Sequence, residues 1–287
     1  MNVYEIVTER MIEELKKGNI PWQKPWTGTK DGAYSRGTGR AYSLINQMML
    51  KQTGEYLTYK QATEAGGSVR KGEKSEIVVF FKPYPVKDTD ASGQEITKVI
   101  PLLRYYNVFH ISQCDGIEPK YKPEEIKEFD PIVEAESLKD EYIAREGIAY
   151  TETTGNRAFY SPSKDAVQLP DRGQFEDVSE FYSTMFHELI HSTGHEKRLN
   201  RITKDSHFGN QEYSKEELVA EIGAAAILNK LTIETPRSIK NNAAYVGSWL
   251  KALQNDSKMI MYAAGKAEKA VNMIYGIAPE KTEAEAA

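Results

Sequence analysis

Phe186-His187-Glu188-Leu189-Ile190-His191-Ser192-Thr193-Gly194-His195 is the stretch that decides how the rest of this 287-residue chain is read. In a helix, residues four apart lie on one face, so His187 and His191 aim their imidazoles at a common point. Two such nitrogens begin a zinc site. Glu188 follows the first of them and can take a proton from a metal-bound water, which makes a hydrolytic nucleophile near neutral pH. The bland alternative is a helix with surface histidines, of which the chain has five in all.

Two histidines and a base do not close a site, so a third ligand is needed. A longer motif with its third ligand at position 197 is excluded, because that residue is Lys197. The segment Lys215-Glu216-Glu217-Leu218-Val219-Ala220-Glu221-Ile222-Gly223-Ala224-Ala225-Ala226-Ile227-Leu228 has a strong helix pattern. Glu217, Ala220, Glu221 and Ala224 share one face of it, and two carboxylates a turn apart on an Ala-rich face are costly to bury without a cation. Glu217 is assigned as third ligand, with Glu221 holding a ligand imidazole by its second nitrogen. Exchange of those two roles stays open, and so does an ordinary solvated Glu pair. Gly194 takes His195 off the helix, toward a place behind the ligands or facing substrate. His207 and Tyr213 are candidate donors to the oxyanion of a tetrahedral intermediate.

Composition agrees with a folded chain: 40% hydrophobic and 10% aromatic residues suffice for ordinary cores, and the length suggests two domains. Met1-Asn2-Val3-Tyr4-Glu5 has no signal-peptide pattern, and no apolar run approaches the roughly eighteen residues of a membrane span, so neither export nor a membrane partner is expected. Cys114 is the single cysteine, which excludes an intrachain disulfide and a thiolate cluster and fits a reducing cytoplasm. The net charge of −5 is uneven, because residues 1–112 hold 16 Lys+Arg against 12 Asp+Glu, or +4, and the remainder 21 against 30, or −9. The front is mildly basic and the back acidic.

Along the chain, residues 2–17 predict an amphipathic helix stopped by Gly18. From 20 to 42 come two Trp, two Tyr and four Lys/Arg against a single acid, Asp31. Rings interleaved with cations suit single-stranded nucleic acid, with bases on the rings and phosphates on the cations. Trp22, Lys24, Trp26, Arg36, Arg40 and Tyr42 are the candidates there; a pair of core Trp residues beside a solvated loop is the alternative. Residues 57–65 predict a helix, and the basic turn Arg70, Lys71 and Lys74 extends the same candidate surface. Strands are predicted at 77–81 and about 102–110, with a polar stretch at 87–98 between them. His110 has no ligand-type neighbour and is read as structural. Pro119, Pro123 and Pro131 among acids mark a linker, which sets domains at 1–115 and 131–287 with 116–130 between them. The second domain predicts a helix at 132–145 and a hairpin from 157–162 and 165–170. The metal helix follows at 179–192, then helices around Asn242–Leu250 and Ile260–Ile274, and a frayed tail at 281–287. The hairpin, beside the metal helix, is a candidate to hold an extended substrate by main-chain pairing.

Taken together, Ile20-Pro21-Trp22 with Trp26, Tyr42 with Asn46, Gly72-Glu73-Lys74, the His187–His195 stretch with Arg198-Leu199, Glu216–Ile222 and Trp249-Leu250 resemble the plasmid-borne antirestriction family ArdC. The resemblance runs from the first helix to near residue 275. It implies an α+β architecture of an N-terminal single-stranded-DNA-binding domain and a mostly helical zincin-like metallopeptidase domain with a small sheet. It also implies carriage on mobile elements and protection of incoming DNA from restriction, and it favours the 20–42 loop as a DNA-contacting surface. The expectation is thus a cytoplasmic two-domain protein with one divalent ion, zinc or another transition metal, acting on an unknown protein substrate. Its rivals are a DNA-binding antirestriction factor whose metal is structural, and a general metallopeptidase with no nucleic-acid role.

Overall fold

The computed structural model describes residues 2–23, 32–89, 94–121, 131–202, 211–234, 247 and 249–278. Helix α1 (Val3–Lys16) opens the chain, with Asn2 and Glu5 capping each other's backbone N–H groups. Its buried positions Val7, Met11 and Leu15 recur every fourth residue. That stripe faces the interior, so helix periodicity and burial agree.

The N-terminal half is built on a sheet ordered β1-β2-β5-β4, from β1 (Ala33–Ser35), β2 (Gly54–Leu57), β4 (Glu76–Thr89) and β5 (Glu95–His110). β1 runs parallel to β2, and the other pairs are antiparallel. Short strands β3 (Ser68–Val69) and β6 (Cys114–Asp115) pair separately. Helix α2 (Leu44–Met49) is stitched to the sheet by amide side chains that imitate backbone. Asn46 donates to the carbonyl of Val79 and accepts from its N–H at 2.8 and 2.7 Å, and Gln47 does the same for Ala33 at 2.8 and 2.9 Å. Helix α3 (Tyr59–Glu64) follows β2 directly, so Leu57, expected to open a helix, ends a strand instead. His110 is structural as read, its Nε2 2.9 Å from the Thr53 carbonyl.

The expected strands at 77–81 and 102–110 are each much longer. β4 and β5 stay in register from Glu76↔Val108 out to Thr89↔Glu95, so most of the polar 87–98 stretch is paired strand rather than loop. Sequence patterning missed it because strand signals are signals of burial, and this outer half has little to bury against.

The C-terminal half begins with α4 (Pro131–Glu146) and a mixed sheet ordered β7-β9-β8, from β7 (Ala149–Thr153), β8 (Phe159–Ser161) and β9 (Ala166–Pro170). β8 and β9 are the predicted hairpin, and β7, which was not predicted, joins β9 in parallel. Helices α5 (Val178–Thr193), α6 (Gln211–Lys230) and α7 (Met259–Ile274) then pack on one another. Ala220, Ala224, Ala263, Ala264, Ala267 and Ala270 are buried among them. At Gly223 an added Cβ would lie 2.7 Å from Ile190 Cδ1, so the absence of a side chain lets α6 approach α5 closely.

The two halves share one apolar core. Val7, Met11, Leu15, Trp22 and Met48 belong to the same buried cluster as Phe181, Leu189, Ile222 and Ala267. The start of the expected linker is also docked, because Glu55 accepts from the N–H groups of Lys120 and Tyr121, and the Tyr121 ring meets Tyr34 edge-on. Lys24, Trp26, His207, most of 116–130, most of Asn242–Gly247 and the 281–287 tail lie outside the described residues.

Candidate metal centre

Asp177 caps α5 by accepting from the Ser179 N–H at 2.8 Å, and Phe181, Met185, Phe186, Leu189 and Ile190 anchor the helix in the core. The stripe left over carries His187 and His191 and faces α6. There His187, His191 and Glu217 bring one donor atom each to within 4.8 Å of one another. The two Nε2 atoms are 3.1 Å apart, His191 Nε2 is 3.4 Å from Glu217 Oε1, and His187 Nε2 is 3.6 Å from Glu217 Oε2. Ligands held about 2.0–2.2 Å from a tetrahedral ion sit roughly 3.3–3.6 Å from each other. Each imidazole thus has its own Glu217 oxygen near that spacing, the three side chains converge closely enough to share one ion, and the N,N,O set suits a divalent transition metal.

The charges are arranged for a cation. Burial works against the charged form of Glu217, but hydrogen bonds and charge from the two imidazoles outweigh it and hold the carboxyl well below the usual range. Burial likewise opposes protonation of His191, and the Glu216 and Glu217 carboxylates override it, pushing the imidazole up to about 10. Glu221 behaves oppositely: burial, reinforced by the neighbouring Glu217 charge, pushes its carboxyl up. Of the two carboxylates, Glu217 is the one poised as an anion among the nitrogens.

The expectation that Glu221 holds a ligand imidazole by its second nitrogen needs correction. Glu221 Oε1 is 3.9 Å from His187 Nδ1, beyond hydrogen-bond distance. The carboxylate that does meet a second nitrogen is Glu216, whose Oε1 is 3.3 Å from His191 Nδ1. Glu216 is fixed in turn by Arg201, which donates to both its oxygens at 2.8 and 3.1 Å. Arg201 is only 1% exposed and also donates to the Ile190 carbonyl at 2.9 Å and the Thr193 hydroxyl at 2.8 Å, at the carbonyl end of α5. Sequence spacing missed this pair because Arg201 reaches the site through a chain reversal after Gly194, whose carbonyl accepts from the N–H groups of Arg201 and Ile202.

Glu188 lies on α5 beside the ligands, 9% exposed, and its carboxylate has no hydrogen-bond or ion-pair partner among the described residues. His195 is buried just past the helix, where its Nδ1 accepts from the Lys197 N–H at 3.2 Å, and it is not part of the donor cluster. Tyr213 is half-buried in the first turn of α6, on the face that carries Glu217 and Glu221 at four-residue spacing. A cavity of about 240 Å³ opens beside His187 and Glu221, walled by Thr184 and Leu228 and by Gln23 from the N-terminal half.

The predicted DNA-contacting residues have divergent fates. Trp22 is 2% exposed and packs edge-on against Trp249 at 5.1 Å, so it is a core residue and not a stacking platform. Arg36 is paired with the buried Glu55 and donates to the Glu118 carbonyl. Arg70 is paired with Glu73 at 3.0 Å and Asp115 at 3.4 Å. Tyr42 is half-buried against Tyr56, and Arg40, Lys71 and Lys74 are exposed.

Residues 1–109 match the N-terminal domain of anti-restriction factor ArdC, and residues 138–266 match a zincin-like metallopeptidase domain. Two DNA primases TraC of Escherichia coli are 38% and 37% identical over 93% of this chain, which spans only 19% and 26% of their length. An uncharacterized protein y4eC of Sinorhizobium fredii is 30% identical, over 96% of this chain and 92% of its own. The crystal structure of the antirestriction ArdC protein from plasmid R388 matches in its metal-free form at TM-score 0.73 and 33% identity, covering 96% of this chain and 98% of that one. Its Mn(II)-bound form matches at TM-score 0.75 and 32% identity, covering 98% and 100%. Among the described residues no helix is long and apolar enough to cross a membrane. With both domain models matched, and full-length structural likeness above 30% identity, the chain belongs to the ArdC antirestriction family, and its zincin-like domain carries a His-His-Glu cluster fit for a divalent metal.

Proposed function

We propose that this protein protects incoming mobile-element DNA from restriction in the cytoplasm, with residues 1–115 binding single-stranded DNA and residues 131–287 hydrolysing a peptide bond in a protein substrate. The observation that carries the hydrolytic reading is the convergence of the His187, His191 and Glu217 donors beside Glu188, which has no partner among the described residues. His187, His191 and Glu217 would hold the ion, for which zinc is the first choice given two imidazoles and a carboxylate. When bound, such an ion polarises a carbonyl and lowers the pKa of water toward neutrality.

The chain's own residues do the rest. Glu188 accepts the proton of the attacking water and returns it to the leaving amine. Tyr213, one turn before Glu217, donates to the developing oxyanion. Glu216, braced by Arg201, fixes the ring plane of His191. β8 is an edge strand packed on α5, where an extended substrate can pair with its backbone, and the cavity beside His187 has room for a substrate side chain. The name ArdC and the N-terminal match support the DNA-binding half of the reading.

Glu188→Gln tests the enzyme against a DNA-binding factor with a structural metal. Protection from restriction is expected to fall to the level of a deletion while metal content and fold are kept. Full protection by that variant would sink the hydrolytic account.

A further inference from the structure

The β4–β5 arm, paired from Glu76↔Val108 to Thr89↔Glu95, extends beyond the core of the N-terminal half. Near its base Val79 and Leu103 are buried, but from residue 80 outward on β4 its large side chains are mostly exposed. Register sorts them into two faces.

One face carries Phe80, Lys82 and Tyr84 from β4 and Tyr106, Arg104 and Lys98 from β5. The Phe80 and Tyr106 rings are stacked, 4.7 Å between centroids and 3° between planes, and Tyr106 is 56% exposed. Tyr84 lies four residues beyond Phe80, roughly 14 Å along the strand. Between and beside the rings stand Lys82 and Arg104, both exposed and without an ion-pair partner among the described residues. The face has one acid, Asp88, 3.4 Å from Lys98. The opposite face is also apolar, with Phe81, Val99 and Tyr105 exposed, but its cation Lys87 is paired with Glu95 at 3.5 Å. Exposed rings alternating with unpaired cations are thus confined to one side of the arm.

We propose that this face is the surface on which single-stranded DNA lies, with bases stacking on Tyr106 and Tyr84 and phosphates meeting Arg104 and Lys82. The charge of the face is complementary to the phosphate backbone, and ring stacking tolerates any base, so binding is sequence-independent. The inference rests on the reading that the N-terminal half binds single-stranded DNA, and it moves the contact surface from Trp22, Arg36 and Arg70 to the arm.

The test uses the metal-loaded full chain and a fluorescent oligothymidylate of about twenty nucleotides, with anisotropy read across a salt series. Lys82→Gln with Arg104→Gln is expected to weaken binding roughly tenfold or more and to flatten the slope of log K against log salt by about 1.4. Tyr84→Ala with Tyr106→Ala should weaken it by a similar factor at unchanged slope. Lys87→Gln, on the other face, should stay within about twofold. If the wild type binds and both pairs bind like it, the arm is not the surface and the DNA-binding reading survives. If Lys87→Gln weakens binding as much as the charge pair, the effect is bulk charge and the face is not a site. If a duplex of the same length competes as well as the single strand, the stacking account is overturned. If the wild type binds no oligonucleotide at low salt, this inference and the DNA-binding reading fall together.

Discussion

Two adjacent residues of α6, Glu216 and Glu217, divide the labour around the same imidazole. Glu217 faces His191 Nε2 at 3.4 Å and Glu216 faces its Nδ1 at 3.3 Å, so a ring between them is held from both nitrogens. A carboxylate on the far nitrogen fixes the tautomer and raises ligand basicity, and its loss costs about 10–100-fold in metal affinity. Glu216→Gln is therefore expected to weaken metal binding by that factor in a competition titration. Glu221→Gln, whose oxygen is 3.9 Å from His187, should weaken it by less. The reverse ranking would restore Glu221 to the role that spacing first suggested. The pairing of His187 with His191 was legible because helix periodicity stacks residues four apart, a purely local rule, and Glu217 was found from the cost of burying two carboxylates on an Ala-rich helix face. Glu216 and Arg201 were not, because their pairing depends on a chain reversal that no periodicity encodes.

At the level of elements, α5 is held against α4 and the small sheet by a charge cluster away from the metal. Tyr182 donates to Glu136 at 2.6 Å, and Lys139 and Arg172 approach the same carboxylate at 2.8 Å each. Burial opposes the charge on Glu136, but the hydrogen bonds from Arg172, Lys139 and Tyr182 prevail and lower its pKa to about 2. A carboxyl depressed in the folded state stabilises the fold above its ordinary titration range, and that contribution is lost as pH falls through the folded value. Glu136→Gln is expected to cost roughly 2–3 kcal/mol near neutrality. The gap to wild type in denaturant midpoints should close as pH drops from about 4.5 toward 2. A gap that is constant with pH would assign the cost to packing instead. The inner and outer halves of the β4–β5 arm differ in how far sequence patterning reads them. Its inner half was predicted because it is buried, whereas its outer half reads as polar loop although it is paired to Thr89↔Glu95.

Over the whole molecule, a two-domain arrangement was legible, but the union of the two halves in one core was not. Trp22 has the composition of a nucleic-acid loop around it, yet it fills the core against Trp249, and burial is a property of the assembled fold. Because one apolar cluster runs from α1 through α7, unfolding is expected to be a single transition, with Trp22→Ala costing about 3–5 kcal/mol and lowering one midpoint. Two separate transitions by fluorescence and circular dichroism would contradict the shared core. That continuity also brings Gln23 to the wall of the cavity beside His187, so the N-terminal half helps to shape the site in the C-terminal half. A crystal structure of the metal-loaded chain would show whether the site holds a divalent ion with three protein ligands and leaves a position for water. His187, His191 and Glu217 are expected as the protein ligands, with solvent in the remaining position facing Glu188. A fourth protein ligand, such as Glu221 or His195, would close the site and contradict that expectation.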